Sequence, residues 1–306
     1  MQMDIAPTKF PAAGTSWSVF TSFCRDFLQE SRVSVQVIFL IRFGTAAALG
    51  TTIFGGREMA AALAWVLATL AAYVFNGVMD VTEDRANGST RPISRGSLPV
   101  PVAAGGVVVS SGLALTIGGI VDPGGLLPLL ILAHLVCGYA YSGAPFYGKR
   151  RGYSAVLLVL AMGVLTYAAG WQVADRKGGI AILLLGAAMS LWMGGVGALA
   201  KDLPDAEGDA AGGRRTPVIV WGDRRVRILI TVNAVVIAFG YLAATVAFAP
   251  VLVPSAIALV FGAVAVGSLA ATTRTATTRS GRRLPYRAFM VTQYAVHIVV
   301  LAALLF

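Results

Sequence analysis

Charged residues are scarce in this chain of 306 residues. Only 12% of its residues are Asp, Glu, Lys or Arg, whereas 57% are apolar, and the mean hydropathy is +0.77. A soluble domain carries roughly 25% charged residues and about 45–50% apolar ones. The composition therefore argues against a water-soluble enzyme, an isolated nucleic-acid-binding module or a disordered chain, and it predicts an integral membrane protein with several spans.

Cysteine is also scarce, and a signal peptide is not apparent. Cys24 and Cys137 are the only two cysteines, so they form no metal cluster by themselves and indicate no disulfide framework. The N-terminus lacks a basic segment followed by an apolar one, so we expect the first hydrophobic helix to act as the insertion signal.

Long apolar stretches are abundant, and about 20 such residues are needed to cross a bilayer. They predict an all-α polytopic fold in which a cytoplasmic segment, residues 1–32, precedes a single nine-helix domain, residues 33–306. The nine predicted spans cover residues 33–54, 58–80, 100–120, 123–143, 153–173, 178–200, 226–248, 251–272 and 286–306. The third and fourth are joined by so short a link that they must form an antiparallel hairpin.

Basic residues predict the orientation. With a cytoplasmic N-terminus, 20 of the 24 Lys and Arg residues fall in segments on the inner side, as the positive-inside rule requires. The C-terminus is therefore expected outside. The loops after the second and sixth spans are long and polar, so we expect the active site to face the cytoplasm, and we expect the membrane to be a bacterial cell membrane. Because the net charge of +10 then reflects topology, no nucleic-acid partner is expected.

Acidic residues number only 14, and seven of them lie in two windows of nine residues, 76–84 and 201–209. In the first window Asn76, Asp80 and Asp84 follow i, i+4, i+8 spacing, which places them on one face of a helix. In the second, Asp202, Asp205 and Asp209 follow i, i+3, i+7 spacing, which predicts the same arrangement. Solvated charge at helix ends is the alternative interpretation of either window.

The two windows together predict a metal site. Two rows of carboxylates facing each other in a low-dielectric site would repel, so a cation is needed between them. Oxygen-only ligands favour Mg²⁺, which proteins commonly share with substrate phosphates. We therefore expect Mg²⁺ as cofactor and a phosphorylated or diphosphorylated substrate, with contacts to the phosphates from Arg91, Lys149 and Lys201. For each of these basic residues, a topological role under the positive-inside rule is the competing interpretation.

At these residues the sequence closely resembles the UbiA superfamily of intramembrane prenyltransferases. Asn76, Asp80 and Asp84 match its first motif, and Asp205 and Asp209 match its second, with Asp202 one turn earlier. The YSGAP segment that contains Tyr141 also looks like the family. The resemblance implies nine transmembrane helices around a central cavity that is capped on the cytoplasmic side. One departure is Gly77, where the family usually has an aspartate.

The resemblance also implies the reaction and its residues. Asp80, Asp84, Asp205 and Asp209 would be catalytic as metal ligands for a prenyl diphosphate, with Asn76 and Asp202 as further ligands and Tyr141 beside the diphosphate. A small aromatic or quinone-precursor acceptor would attack the allylic cation within the membrane lipid. The residues expected in the acceptor or prenyl cavity are Arg42, Tyr73, Tyr139, Tyr167 and Trp171. For each aromatic side chain, core packing is the competing interpretation.

Arg42 lies midway along the first span, where a charge is costly in lipid, so it should face the cavity. It would bind an acceptor carboxylate or pair with a buried carbonyl group. Two other functions stay open. A terpene cyclase of the same superfamily would need no acceptor, and a secondary transporter would place its acids near the middle of the bilayer.

Overall fold

The computed structural model describes residues 16–50, 54–86, 88–174, 178–211 and 213–305. Residues 1–15 of the predicted N-terminal segment, and residues 51–53 of the first predicted span, lie outside the described residues. Within the described part the chain is helical, and its only β-type pairing is an isolated bridge between Arg151 and Arg215. The predicted all-α fold is confirmed.

Ten helices of 14 residues or more form the body of the described structure. The longer helices are α1 (Ser16–Glu30), α2 (Val33–Gly50), α3 (Gly56–Ala86), α5 (Val100–Val121), α6 (Leu126–Ser142), α7 (Gly152–Val173), α8 (Gly179–Trp192), α12 (Asp223–Phe248), α13 (Val253–Thr272) and α15 (Leu284–Leu305). Short helices lie between them: α4 (Pro92–Arg95), α9 (Ala198–Ala200), α10 (Ala206–Ala211), α11 (Pro217–Trp221) and α14 (Arg279–Arg282).

Eight helical segments of the described chain are long and apolar enough to cross a membrane. A further apolar helix, α6, corresponds to the fourth predicted span but has only 17 residues. At about 1.5 Å per residue it is roughly 25 Å long, slightly less than the roughly 30 Å of a hydrocarbon core. Helices α5 and α6 pack against each other as the predicted hairpin, and Asp122 in their link accepts a hydrogen bond from the Leu127 amide at 3.0 Å.

Large apolar side chains cover the outside of the helical bundle. Val108, Leu157 and Phe261 are each at least 65% exposed, and many others on the long helices are similar. Such a surface is unfavourable in water but suits a lipid environment, where helices satisfy their own backbone hydrogen bonds.

The two acidic windows lie at the same end of the bundle, which we call the motif end. Helix α3 carries the first window in its last turns. Helix α8 passes into a π-helical turn, Met193–Gly197, and then into α9, which leads to the second window. Asn233 of α12 donates a hydrogen bond to the Gly195 carbonyl at 2.8 Å and so fixes this turn from the side.

Small residues let the helices approach closely, most clearly where α7 crosses α2. A methyl group at Gly170 would overlap the Phe43 carbonyl oxygen and lie 2.8 Å from Ala46 Cβ. We expect Gly170→Ala to destabilise the protein by about 1–3 kcal/mol, the usual cost of overpacking. Thermal unfolding in detergent measures this, with Gly240→Ala as control because its Cβ would meet nothing within 4 Å. Equal unfolding temperatures for both variants would contradict the expectation.

Candidate functional site

A cavity of about 200 Å³ opens between the helices at the motif end. One part of its wall is apolar and includes Val35, Met162 and Phe289, while the part nearest the two windows is polar. The predicted site residues in its lining are Tyr73, Asn76, Asp80, Tyr141, Lys149, Lys201 and Asp202. Polar and apolar walls in one cavity suit a molecule with a charged head and an apolar tail.

The first window forms a polar network on α3, as its spacing predicted. Asn76 Nδ2 donates to Asp80 Oδ2 at 3.1 Å, and Asn76 Oδ1 accepts from Ser142 Oγ at 2.9 Å. Lys149 donates to Asn76 Oδ1 at 3.3 Å and forms an ion pair with Asp80. Because Lys149 is buried, its pKa is lowered, although the Asp80 carboxylate opposes that shift. The network places the Lys149 ammonium group directly against the first window.

Asp84, one turn further along α3, does not line the cavity. It is paired with Arg91, whose Nη1 lies 2.8 Å from Asp84 Oδ2. Arg91 precedes α4 and is mostly buried. Arg91 therefore contacts the first window at Asp84 but does not line the cavity.

The second window is not a single helical face. Residues 201–205 form turns, and α10 begins only at Ala206, so the predicted ladder of Asp202, Asp205 and Asp209 is corrected. Pro204 explains the break, because proline has no amide hydrogen to continue the helix. The three carboxylates consequently point to different partners.

Each of the three aspartates of the second window has its own cation. Lys201 lies 3.6 Å from Asp202 and donates to the Tyr141 hydroxyl at 2.8 Å, and burial raises the pKa of Asp202 against the effect of Lys201. Asp205 is 39% exposed and pairs with Arg279 at 2.7 Å. Asp209 is buried, and burial raises its pKa to about 6 although the Arg214 guanidinium opposes the shift.

Arg214 joins the two windows, although its position in the sequence marks it only as one of the inner-side basic residues. Its guanidinium forms an ion pair with Glu83, lies 3.7 Å from Asp80 and contacts Asp209 at 3.2 Å. Burial alone would lower the pKa of Arg214, but the hydrogen bond to Glu83 and the Asp209 charge outweigh burial and raise it. Arg214 also lines the cavity, and no local spacing pattern indicates this role.

The apolar end of the site contains the predicted Arg42. It is 1% exposed, and its Nη1 donates to Met193 Sδ at 2.6 Å. Its Nε and Nη2 make no geometrically ideal hydrogen bond among the described residues, and the neutral Tyr167 hydroxyl is the polar group that interacts with the guanidinium. The guanidinium carbon lies 5.2 Å from the centre of the Phe39 ring. Met193, which accepts its hydrogen bond, lines the cavity, so Arg42 lies just behind the apolar wall.

The remaining predicted aromatic residues lie in different places. Tyr73 lines the main cavity. The Tyr167 hydroxyl is buried 2.5 Å from His297 Nε2, and Trp171 packs against the core. Tyr139 stacks on Phe75 and lines a second cavity between α3, α5 and α6. The structure thus brings one of these four rings, Tyr73, to the main cavity wall.

The donor groups near the cavity have the chemistry that a hard divalent cation prefers. The two windows offer carboxylate and carboxamide oxygens, as Mg²⁺ requires. In the part of the chain that the structure describes, no three His, Cys, Asp or Glu side chains are yet arranged as a metal-binding group, because Lys149, Arg214 and Arg279 hold the carboxylates in ion pairs. The residues therefore fit Mg²⁺ by ligand type.

Comparison with known proteins identifies similar sequences and folds. The model of the UbiA prenyltransferase family matches residues 37–293. A UbiA homologue from Archaeoglobus fulgidus, bound to GPP and Mg²⁺, is similar over 92% of this chain and 100% of its own, with a TM-score of 0.72 and 14% identity. The apo structure of a UbiA homologue from Aeropyrum pernix K1 covers 88% of this chain and 96% of its own, with a TM-score of 0.61 and 17% identity.

A third similar structure is described as digeranylgeranylglyceryl phosphate synthase in membranes. It covers 92% of this chain and 99% of its own, with a TM-score of 0.68 and 14% identity. No curated protein sequence gives a significant match. At these identities the solved structures establish a shared fold, while the choice of substrate depends on the site itself.

Proposed function

The chain belongs to the UbiA family of intramembrane prenyltransferases, and from this premise we propose that it transfers an isoprenoid from a prenyl diphosphate to an anionic aromatic or quinone-precursor acceptor. One observation carries the choice of acceptor: Arg42 is buried beside the apolar end of the cavity with two guanidinium nitrogens that make no geometrically ideal hydrogen bond among the described residues. A buried charge without a counter-charge is costly. A carboxylate on the acceptor would supply that counter-charge.

The polar end of the cavity suits the diphosphate. Asn76, Asp80, Asp84, Asp202, Asp205 and Asp209 are the residues that would hold Mg²⁺, which when bound neutralises the diphosphate leaving group. Lys149, Lys201 and Arg214 lie at the same end of the cavity. Their ammonium and guanidinium groups can donate to phosphate oxygens and stabilise the negative charge that develops on the departing oxygen.

Cleavage of the carbon–oxygen bond gives an allylic cation and diphosphate. The apolar wall around Val35, Met162 and Phe289 excludes water that would otherwise capture this cation. The ring of Tyr73 offers a π face for cation–π attraction. An electron-rich acceptor carbon then forms the new carbon–carbon bond and loses its proton.

The proposed location follows from the charge distribution. We place the motif end at the cytoplasmic face of a bacterial cell membrane, because the inner-side segments carry most of the basic residues. Membrane lipid surrounds the exposed apolar belt. The prenyl diphosphate would enter with its tail in this lipid phase and its diphosphate group at the cytoplasmic surface, and Mg²⁺ would reach the cavity from the cytoplasm.

The test is a substrate screen with purified protein in nanodiscs. Dimethylallyl, geranyl, farnesyl and geranylgeranyl diphosphates are each incubated with Mg²⁺, with and without hydroxybenzoate, homogentisate or dihydroxynaphthoate. We expect a prenylated aromatic product that requires both an acceptor and Mg²⁺ and disappears with EDTA. Cyclic hydrocarbons or alcohols formed from the diphosphate alone would instead identify a terpene cyclase, and no turnover of any donor would refute both reactions.

A substitution at Arg42 tests whether this residue binds the acceptor carboxylate. Arg42→Gln should raise the acceptor KM by roughly 10–100-fold, as expected for loss of a charged hydrogen bond worth about 1.5–3 kcal/mol, and should leave the KM for the prenyl diphosphate near the wild-type value. An acceptor that lacks the carboxylate should be insensitive to the substitution. Equal losses with both kinds of acceptor would contradict carboxylate binding by Arg42.

A further inference from the structure

Gly77 leaves a gap on α3 that a side chain from another helix fills. A Cβ at this position would overlap Glu30 Oε1 and would lie 2.8 Å from Arg91 Nη2. The carboxylate of Glu30 therefore occupies the space that any residue other than glycine would take at position 77. This position is also where the chain departs from the first motif.

Glu30 is the last residue of α1 and is fully buried. Its Oε1 lies 2.5 Å from Arg91 Nη2, and its Oε2 accepts a hydrogen bond from the Ile93 amide at 2.9 Å. The same arginine also donates from Nη2 to the Glu30 carbonyl oxygen at 3.1 Å. Three contacts hold the end of α1 against the segment that follows the first window, so the carboxylate cannot simply swing away from an added Cβ.

Arg91 carries this arrangement to the first window. While its Nη2 contacts Glu30, its Nη1 contacts Asp84 at 2.8 Å. One guanidinium thus balances two carboxylates, and the three side chains keep one net negative charge. Without Glu30 the Arg91–Asp84 pair would be neutral, and Asp84 would attract a divalent cation less strongly.

We infer that Glu30 is a positioning residue for the first acidic window: reaching across Gly77, it shares Arg91 and thereby keeps Asp84 available to a cation. The inference rests on the proposed Mg²⁺-dependent function. Gly77 and Glu30 act together, because α1 supplies the carboxylate that α3 lacks at position 77. Combining Glu30→Ala with Gly77→Asp moves this carboxylate from α1 to α3 and leaves the net charge unchanged.

The experiment compares Glu30→Ala, Glu30→Gln, Gly77→Asp and the double variant Glu30→Ala/Gly77→Asp in the full-length protein. Two quantities are measured: the Mg²⁺ concentration that gives half-maximal turnover of geranyl diphosphate, and the rise in unfolding temperature caused by Mg²⁺ with inorganic pyrophosphate. We expect Glu30→Ala and Glu30→Gln to raise the Mg²⁺ requirement by roughly 10–100-fold and to diminish the thermal shift. Gly77→Asp keeps the Glu30 carboxylate but overlaps it, so its main expected effect is a lower unfolding temperature. The double variant should recover more than half of the loss on a logarithmic scale.

Asp26 provides the matched control. It lies one turn earlier on α1, is buried and pairs with Arg95 at 3.2 Å. Asp26→Ala therefore weakens the docking of α1 without touching Arg91. We expect it to lower the unfolding temperature but to leave the Mg²⁺ requirement unchanged. Gly105→Ala, whose Cβ would meet nothing within 4 Å, controls for replacing a helical glycine.

Two results would overturn the inference. Asp26→Ala could raise the Mg²⁺ requirement as much as Glu30→Ala, in which case Glu30 only docks α1. The double variant could require as much Mg²⁺ as Glu30→Ala alone, in which case a carboxylate at position 77 does not replace that of Glu30. If the wild type turned over no prenyl diphosphate, the proposed function would fail, while the thermal shift with pyrophosphate would still decide the role of Glu30.

Discussion

Asp80→Asn and Asp209→Asn should each lower prenyl-diphosphate turnover by about 10²–10³-fold, the usual cost of removing one group that stabilises developing charge. Asp80 faces the cavity and pairs with the buried Lys149. Its replacement removes the charge of a proposed Mg²⁺ ligand and leaves the Lys149 ammonium without its closest counter-charge. Asp209 contributes the buried carboxylate of the second window. Because each substitution removes charge but almost no volume, the fold should survive.

The measurement is kcat with saturating Mg²⁺ and geranyl diphosphate, normalised to folded protein. Asp223→Asn is the matched control, since Asp223 also pairs with two arginines, Arg227 at 2.7 Å and Arg282 at 3.1 Å, but does not line the cavity. It should reduce stability without reducing kcat. Turnover that survives both Asp80→Asn and Asp209→Asn would show that the acidic windows are not the metal site.

Arg214→Met should lower turnover by a similar factor, about 10²–10³-fold. Its guanidinium is the shared counter-charge of Asp80 and Glu83 on α3 and of Asp209 on α10. Without it these carboxylates repel one another, and the polar end of the cavity loses a hydrogen-bond donor. Since Mg²⁺ would relieve that repulsion, the rise in unfolding temperature on adding Mg²⁺ should be larger in the variant than in the wild type.

Arg150→Met separates this role from ordinary ion pairing. Arg150 contacts the same Glu83 at 3.2 Å, but its side chain is 49% exposed. Exposed ion pairs contribute little to stability, about 0–1 kcal/mol. We therefore expect near-normal kcat and a normal thermal response to Mg²⁺. If the Arg150 and Arg214 variants had similar defects, the loss of turnover would come from the unpaired Glu83 and not from the loss of the contact between Arg214 and the second window.

The features that the sequence predicted well depend on local pattern. Apolar length and composition were sufficient for the all-helical membrane fold, and the motifs were sufficient for the family. The spacing of Asn76 and Asp80 correctly placed both on one face of α3, because a continuous helix fixes that geometry. The same reasoning was wrong for the second window, where Pro204 interrupts the helix.

The features that the sequence did not predict depend on tertiary contacts. Arg214 meets Glu83 across 131 positions of the chain, and Glu30 meets Ile93 across 63. Neither contact follows from a spacing in the sequence, because each joins segments that are far apart along the chain. The sequence marked Gly77 as unusual, but only the packing of α1 against α3 reveals which side chain occupies its space.

The ion pairs at the motif end also make the binding of two ligands interdependent. The aspartates of the two windows already have internal counter-ions, chiefly Lys149, Arg91, Arg214 or Arg279. A metal cation alone would displace these groups and leave them without anions, and a diphosphate alone would draw them from the carboxylates. When both ligands arrive together, the acids receive the metal and the freed bases receive the phosphate oxygens. By thermodynamic reciprocity each ligand then raises the affinity for the other, so the site would discriminate against either one bound alone.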